Sequence, residues 1–167
     1  MQGKIQRSSV KVFILIIILA PLLCCFSYCS SIHKKMGFNK SSFVIVEEED
    51  THGGFLGDGT YYLILDCSQN ADKARKKVKN WTPLPLSDNL QIAMYGGEID
   101  GIHYSLCFAE EAHIPVIKNG VYKYYDENAH FWNHSDDTDL LERSSFNFEI
   151  AVYDFDKDFF YYFEIDT

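Results

Sequence analysis

Residues 1–41 contain no aspartate or glutamate. Lys4, Arg7, Lys11, Lys34, Lys35 and Lys40 therefore stand unopposed and give this stretch a formal charge of +6. The rest of the chain is as poor in cations: residues 42–167 hold nine Lys and Arg against 24 Asp and Glu, a charge of −15 within the chain's −9. So acidic a domain is repelled by nucleic-acid backbones, whose binding rests on cationic contacts, and nucleic acid is not an expected partner.

Cysteine is scarce where it would staple a fold. Cys24, Cys25 and Cys29 lie in or beside the apolar run, which leaves Cys67 and Cys107 for the domain. That number does not make a disulfide-rich scaffold. Each falls on an expected strand, so two separate buried thiols are expected rather than a bridge. The chemical signatures are missing as well. No Gly-x-Ser-x-Gly or His-Glu-x-x-His occurs, and no Gly-Lys-Ser/Thr follows the glycine-rich stretch. No internal repeat is visible and no cofactor is expected.

Long uncharged runs are absent with one exception, Val12–Tyr28. As a helix it would span about 26 Å, close to a hydrocarbon core of about 30 Å, and Cys29–Ile32 extends it. Pro21 is tolerated in such a helix. The run is not amphipathic and its front flank is basic. We read residues 12–32 as a transmembrane signal anchor behind a basic tail, residues 1–11. Two other readings stand beside it. A signal peptide could be cut after small residues at Ser27 and Cys29, or Cys29 and Ser31. A lipoprotein cut before Cys24 or Cys25 lacks a small residue in Pro21-Leu22-Leu23. Cations flank both ends, with a slight excess in front, so the positive-inside rule leans toward a cytoplasmic N-terminus. The domain is then extracytoplasmic, on a single-pass protein of the cell membrane.

Residues 33–41 read as a linker and 42–167 as a single domain, a usual domain size. Aromatic content of 16% favours packed strands. Strands are expected at 42–48, Thr60–Cys67, Leu90–Tyr95, Ile102–Phe108, Ile114–Lys118, Val121–Tyr125, Phe146–Tyr153 and Phe159–Ile165. Asp100-Gly101 and Asn119-Gly120 read as hairpin turns. One helix is expected, Ser68–Trp81, with Ala71, Ala74, Val78 and Trp81 on its apolar stripe and Ser68 or Asn70 as its cap. Thr82-Pro83-Leu84-Pro85 ends it. The expected class is α+β: one transmembrane helix, then a mainly antiparallel sheet with one covering helix.

Several residues invite chemistry. His52 to Gly59 is a glycine-rich loop between strands; His52 and Asp58 are its catalytic-looking pair, although a hairpin loop is the plainer reading. His130 and His134 have the i, i+4 spacing of a metal pair, but Asn133-His134-Ser135-Asp136 reads as turn in a solvated loop. Asp154, Asp156 and Asp158 alternate like a calcium loop, yet its sixth position is Phe159 and its twelfth Ile165, so an acidic turn is expected. Lys73, Arg75, Lys76, Lys77 and Lys79 form a basic helix face able to dock anionic lipid or a wall polymer. Balance by neighbouring acids is the plainer reading. Tyr122, Tyr124, Tyr125 and Phe159–Phe163 could form an aromatic platform, although paired aromatics are usually core. Phe160 and Tyr162, sharing a face with Glu164, are expected to reach solvent.

Thr51-His-Gly-Gly-Phe, Gly57-Asp-Gly, Leu84-Pro-Leu-Ser, Met94-Tyr-Gly-Gly and Phe146-Asn-Phe together resemble a group of small bacterial membrane-anchored or lipoprotein-like proteins with no assigned activity. The resemblance covers roughly residues 48–167. It implies a compartment and carries over no catalytic residue. The resulting expectation is a membrane-anchored extracytoplasmic domain that binds a protein, a peptide or an envelope component. The alternatives are an envelope hydrolase using His52 and Asp58, or an acidic inhibitor or immunity-type module covering a basic partner.

Overall fold

In a computed structural model, residues 32, 35–53, 57–130 and 132–167 are described. The apolar run at 12–28 lies outside them, as do most of residues 12–32. Among the described residues no helix is long and apolar enough to cross a membrane. The chain divides into two units, Met1–Phe38 and Asn39–Thr167.

The second unit is α+β. Its centre is a six-stranded antiparallel sheet of β1 (Val44–Asp50), β2 (Gly59–Asp66), β3 (Thr82–Pro83), β6 (Gly120–Asp126), β7 (Asn147–Asp154) and β8 (Phe159–Asp166). The spatial order is β1-β2-β8-β7-β6-β3. Three helices, α1 (Ala71–Val78), α2 (Asp88–Tyr95) and α3 (Phe108–Glu111), and a small ribbon of β4 (Gly97–Ile99) and β5 (Ile102–Tyr104) complete it.

The inner strands form where β-branched and aromatic residues are dense. Phe148, Ile150 and Val152 of β7 meet Tyr161, Phe163 and Ile165 of β8, Tyr124 of β6 and Tyr62 and Ile64 of β2 in one apolar cluster. Leu90, Ala93 and Met94 of α2 and Ala109 of α3 cover that face. The opposite face is also buried. Phe160 and Tyr162 are both fully enclosed, so the expectation that they reach solvent is corrected. Trp81 packs its ring on Phe160 at 6.2 Å, and Tyr61 packs on Tyr162 at 5.8 Å. The Tyr162 hydroxyl donates to Glu164 at 2.8 Å, which brings a polar partner into the buried layer. Burial first, then the Glu149 carboxylate, drives the Tyr162 pKa far upward.

Four further expectations are corrected. Leu90–Tyr95 is a helix, not a strand. Ser87 caps it by accepting from the Leu90 amide at 3.3 Å, and Gly96, at φ 72°, closes it with a bond to the Ile92 carbonyl. Leu90, Ile92, Ala93 and Met94 are all buried, so the apparent two-residue alternation is part of a broad helical apolar face. Ile102–Phe108 supplies only the three residues of β5; Ile102 is exposed and Phe108 opens α3. The Asp100-Gly101 turn does form, both residues adopting the positive φ that a tight hairpin demands. Ile114–Lys118 is not a strand: β6 pairs instead with β7 and with Thr82–Pro83, the segment read as a helix stop. Among the described residues of this unit three α-helices accompany the sheet where a single covering helix was expected.

The expected helix at Ser68–Trp81 is a 3₁₀ turn, Ser68–Asn70, followed by α1. Ala74 and Val78 are buried as its stripe requires. Asn70 occupies the cap position without a side-chain bond; Asp66 instead accepts from the Ser68 amide at 2.8 Å. Cys67 and Cys107 are both free thiols. Cys67 is buried, which pushes its pKa up to about 12, whereas Cys107 is exposed, against expectation.

Candidate interaction edge

The two ends of the sheet order are built differently. On the β3 side the last strand is two residues long, and Pro83 has no N–H to offer a neighbour. Beyond it, the edge of β6 is lined by the loop that comes after the strand. His134 O accepts from the Asp126 amide, and the Ser135 hydroxyl donates to Tyr124 O. His134 Nδ1 donates to Asp126 O at 2.8 Å, and its ring stacks on Tyr125 at 4.7 Å. The buried Asp126 carboxylate anchors this loop. It accepts from Arg143, from the Tyr124 hydroxyl at 2.9 Å and from the Asn128 amide at 2.8 Å.

On the β1 side nothing among the described residues pairs with the outer edge. β1 holds seven residues, six of them in register with β2, and Val46 is the extra residue of a bulge. Val44, Ile45 and Val46 are 51, 47 and 53% exposed. Beside them stand four consecutive acids, Glu47, Glu48, Glu49 and Asp50.

Each acid meets a named neighbour. The Tyr62 hydroxyl lies 2.8 Å from Glu47 and 3.0 Å from Glu49, and His113 Nδ1 lies 2.8 Å from Glu47. The Tyr62 hydrogen bond, with smaller help from His113, holds Glu47 below the ordinary carboxylate pKa. Glu48 is also lowered: partial burial opposes this, but hydrogen bonds from Lys40 and Tyr61 outweigh it. The Tyr62 pKa is pushed up, chiefly by its bond to Glu47. His113 itself sits at φ 54°, a conformation unusual for a residue with a side chain. Lys40 joins the acidic run through its ion pair with Glu48.

The residues singled out by sequence fall in other arrangements. His52 engages Asp50, with Nδ1 2.8 Å from its carboxylate, while Asp58 is exposed. Gly59 permits the loop to close, since a side chain there would come within 2.6 Å of the His52 backbone. His130 lies 4.0 Å from the Asp139 carboxylate, whereas His134 is turned into the β6 edge. No group of three or more potential metal ligands occurs among the described residues. In the β7–β8 turn, Asp154 accepts from the Asp156 and Lys157 amides, and Asp158 binds Arg75 and the Tyr153 hydroxyl.

Of the basic helix face, Arg75 is structural: its guanidinium bonds Asp158 and the Phe155 carbonyl, each at 2.8 Å, and lies over the Phe155 ring. Lys73 donates to the Ser42 hydroxyl at 2.9 Å. Lys76, Lys77 and Lys79 are exposed, and the first two line a shallow hollow of about 640 Å³ with Ser68, Asn70 and Asp72. An apolar hollow of about 260 Å³ lies between Leu84, Leu86, Tyr95, Ile117 and Val152. That is below the roughly 300–1,000 Å³ usual for a small-molecule pocket. The aromatic platform does not form: Tyr124 and Phe160–Phe163 are core.

The His113 contacts could not be read from sequence, because 66 positions separate His113 from Glu47. The acidic run could be read, but its place at an open edge depends on strand order, which alternation does not encode. Comparison with family models, with curated proteins and with solved structures finds no match.

Proposed function

We propose that this chain is a membrane-anchored, extracytoplasmic interaction domain, held at the bilayer by residues 12–32, which takes a protein, a peptide or an envelope component along the outer edge of β1. The observation that carries the reading is the open edge itself. A seven-residue strand has an outer edge that no described residue pairs with and three half-exposed β-branched side chains, while the far edge is closed by Pro83 and by His134 and Ser135. Long open edges template the pairing of another chain, and strand addition is a recurrent mode of peptide recognition. The slight excess of cations in front of Val12–Tyr28 supports a cytoplasmic N-terminus. A hydrolase using His52 and Asp58 draws no support from a histidine whose carboxylate partner is Asp50.

The test has two parts. The full chain, tagged at its C-terminus, is expected in alkali-washed membranes with the domain cleaved by protease added outside intact cells. A photo-crosslinking residue at Val46 is expected to trap a discrete adduct whose attachment point, mapped by mass spectrometry, lies in a partner segment. A soluble chain, a protected domain, or no adduct at Val46 would overturn the proposal.

A further inference from the structure

We infer that the occupant of the β1 edge is an extended, cationic segment of a partner, added as a further strand with its apolar residues beside Val44–Val46 and its Lys or Arg residues beside Glu47–Asp50. This rests on the interaction-domain reading of the edge and names the chemistry of its partner.

Two features carry it. The first is the direction of the main chain. The Thr51 amide donates to Thr60 O at 2.8 Å, so Thr51 faces β2. Antiparallel strands alternate, so Glu49 and Glu47 also direct their amides and carbonyls to β2. Glu48 and Asp50 then direct theirs outward, at the spacing an added strand uses. The second is charge. Among the described residues the four adjacent carboxylates meet one ammonium, that of Lys40, and the imidazoles of His52 and His113, while the Tyr61 and Tyr62 hydroxyls bond three of the four without bringing a charge. Their side chains alternate between the two faces of the sheet, so a strand with cations on either face finds acids beside it.

A second copy of the chain fits less well. Parallel self-pairing sets four acids against four acids. Antiparallel self-pairing about Glu47 lays Val44–Val46 against Glu48–Asp50. The first opposes like charges across the pair, which is destabilising, and the second opposes only Glu47 to its copy but sets carboxylates against apolar side chains. The bulge at Val46 and the acids also discourage indiscriminate edge pairing, which favours a partner that answers the charge.

The test uses the full chain in detergent micelles and short fluorescent peptides. One alternates valine and lysine, one valine and glutamate, one valine and serine. A fourth is the lysine peptide with alternate amides methylated, so that it cannot pair as a strand. The lysine peptide is expected to bind and to weaken as salt rises. Glu48→Gln, Glu49→Gln and Asp50→Asn together keep the hydrogen-bond acceptors and are expected to weaken it about fivefold, the order expected for three partly exposed charges. A thermal melt checks that the variant folds. Equal binding of the glutamate or serine peptide overturns the cationic partner, although an adduct at Val46 in membranes would still uphold the edge. Equal binding of the methylated peptide overturns strand addition. Binding only between copies, seen as dimers in sedimentation, overturns the inference in favour of self-association. No peptide binding at low salt, with an adduct at Val46, sinks the inference alone; with no adduct, the edge reading falls with it.

Discussion

The two edges of the sheet use polar groups to opposite ends. At the β6–β3 edge they are turned inward. Asp126 is buried with Arg143 and Tyr124 as partners, and the adjoining loop hydrogen-bonds along the strand. At the β1 edge the acids take hydrogen bonds from Tyr61, Tyr62, His52, His113 and Lys40 yet stay at the surface beside exposed valine and isoleucine. The difference teaches that the same residue types either close a sheet or leave it ready to accept a strand. What decides is whether the chain beyond the strand folds back over it. Substitutions on the closed side should therefore cost stability, and those on the open side should cost association.

The largest effect is expected at Arg143. Arg143→Met leaves the buried Asp126 charge without its cation, which costs about 3–5 kcal/mol by the usual penalty for breaking a buried pair. Chemical denaturation of the domain measures it. A loss below about 1 kcal/mol would mean the closed edge does not depend on this pair.

Gly120→Ala comes next. A Cβ at Gly120 would run into the Tyr153 carbonyl oxygen, so β6 and β7 must separate there. Overpacking of this kind costs about 1–3 kcal/mol and should appear as a lowered melting temperature. An unchanged melt would show that the closed edge yields more easily than its geometry suggests.

A smaller effect is expected from acid. Glu47 and Glu48 have folded pKa values below their ordinary 4.5. Their hydrogen bonds therefore contribute stability above pH 4.5 that is lost as pH falls through the lowered values. Glu47→Gln with Glu48→Gln should flatten stability against pH in that window. A slope unchanged by the double variant would place the acid-sensitive groups elsewhere.

The smallest stability effect is expected on the open edge. Val46→Thr should change unfolding free energy by no more than about 0.5 kcal/mol, as for other exposed positions. A larger loss would show that Val46 belongs to the core of the fold, not to a contact surface.

Much of this contrast is legible in the amino-acid sequence, and the misses have physical causes. Phe146–Tyr153 and Phe159–Ile165 are rich in β-branched and aromatic residues because both faces of these strands meet other layers, and both regions form strands, β7 and β8. Asp100-Gly101 marks its hairpin because few other residues accept two positive φ values. Leu90–Tyr95 reads as a strand because a helix buried over most of its circumference also places apolar residues two apart; Ser87 and Gly96 are the capping signals that bracket it. Thr82–Pro83 is hidden by its proline, which ends a helix and also blunts an edge. Of the site, the run Glu47–Asp50 is visible in the sequence. His113, Tyr62 and the openness of β1 are not, since all three depend on long-range strand order.

The most direct measurement compares the two edges in one membrane preparation. A photo-crosslinking residue is placed at Val46 in one version of the full chain and at Thr82 in another. We expect an adduct at Val46, attached within a Lys- or Arg-bearing extended segment and reduced about fivefold by Glu48→Gln, Glu49→Gln and Asp50→Asn, and none at Thr82. Equal adducts at both positions, or an adduct at Thr82 alone, would contradict it.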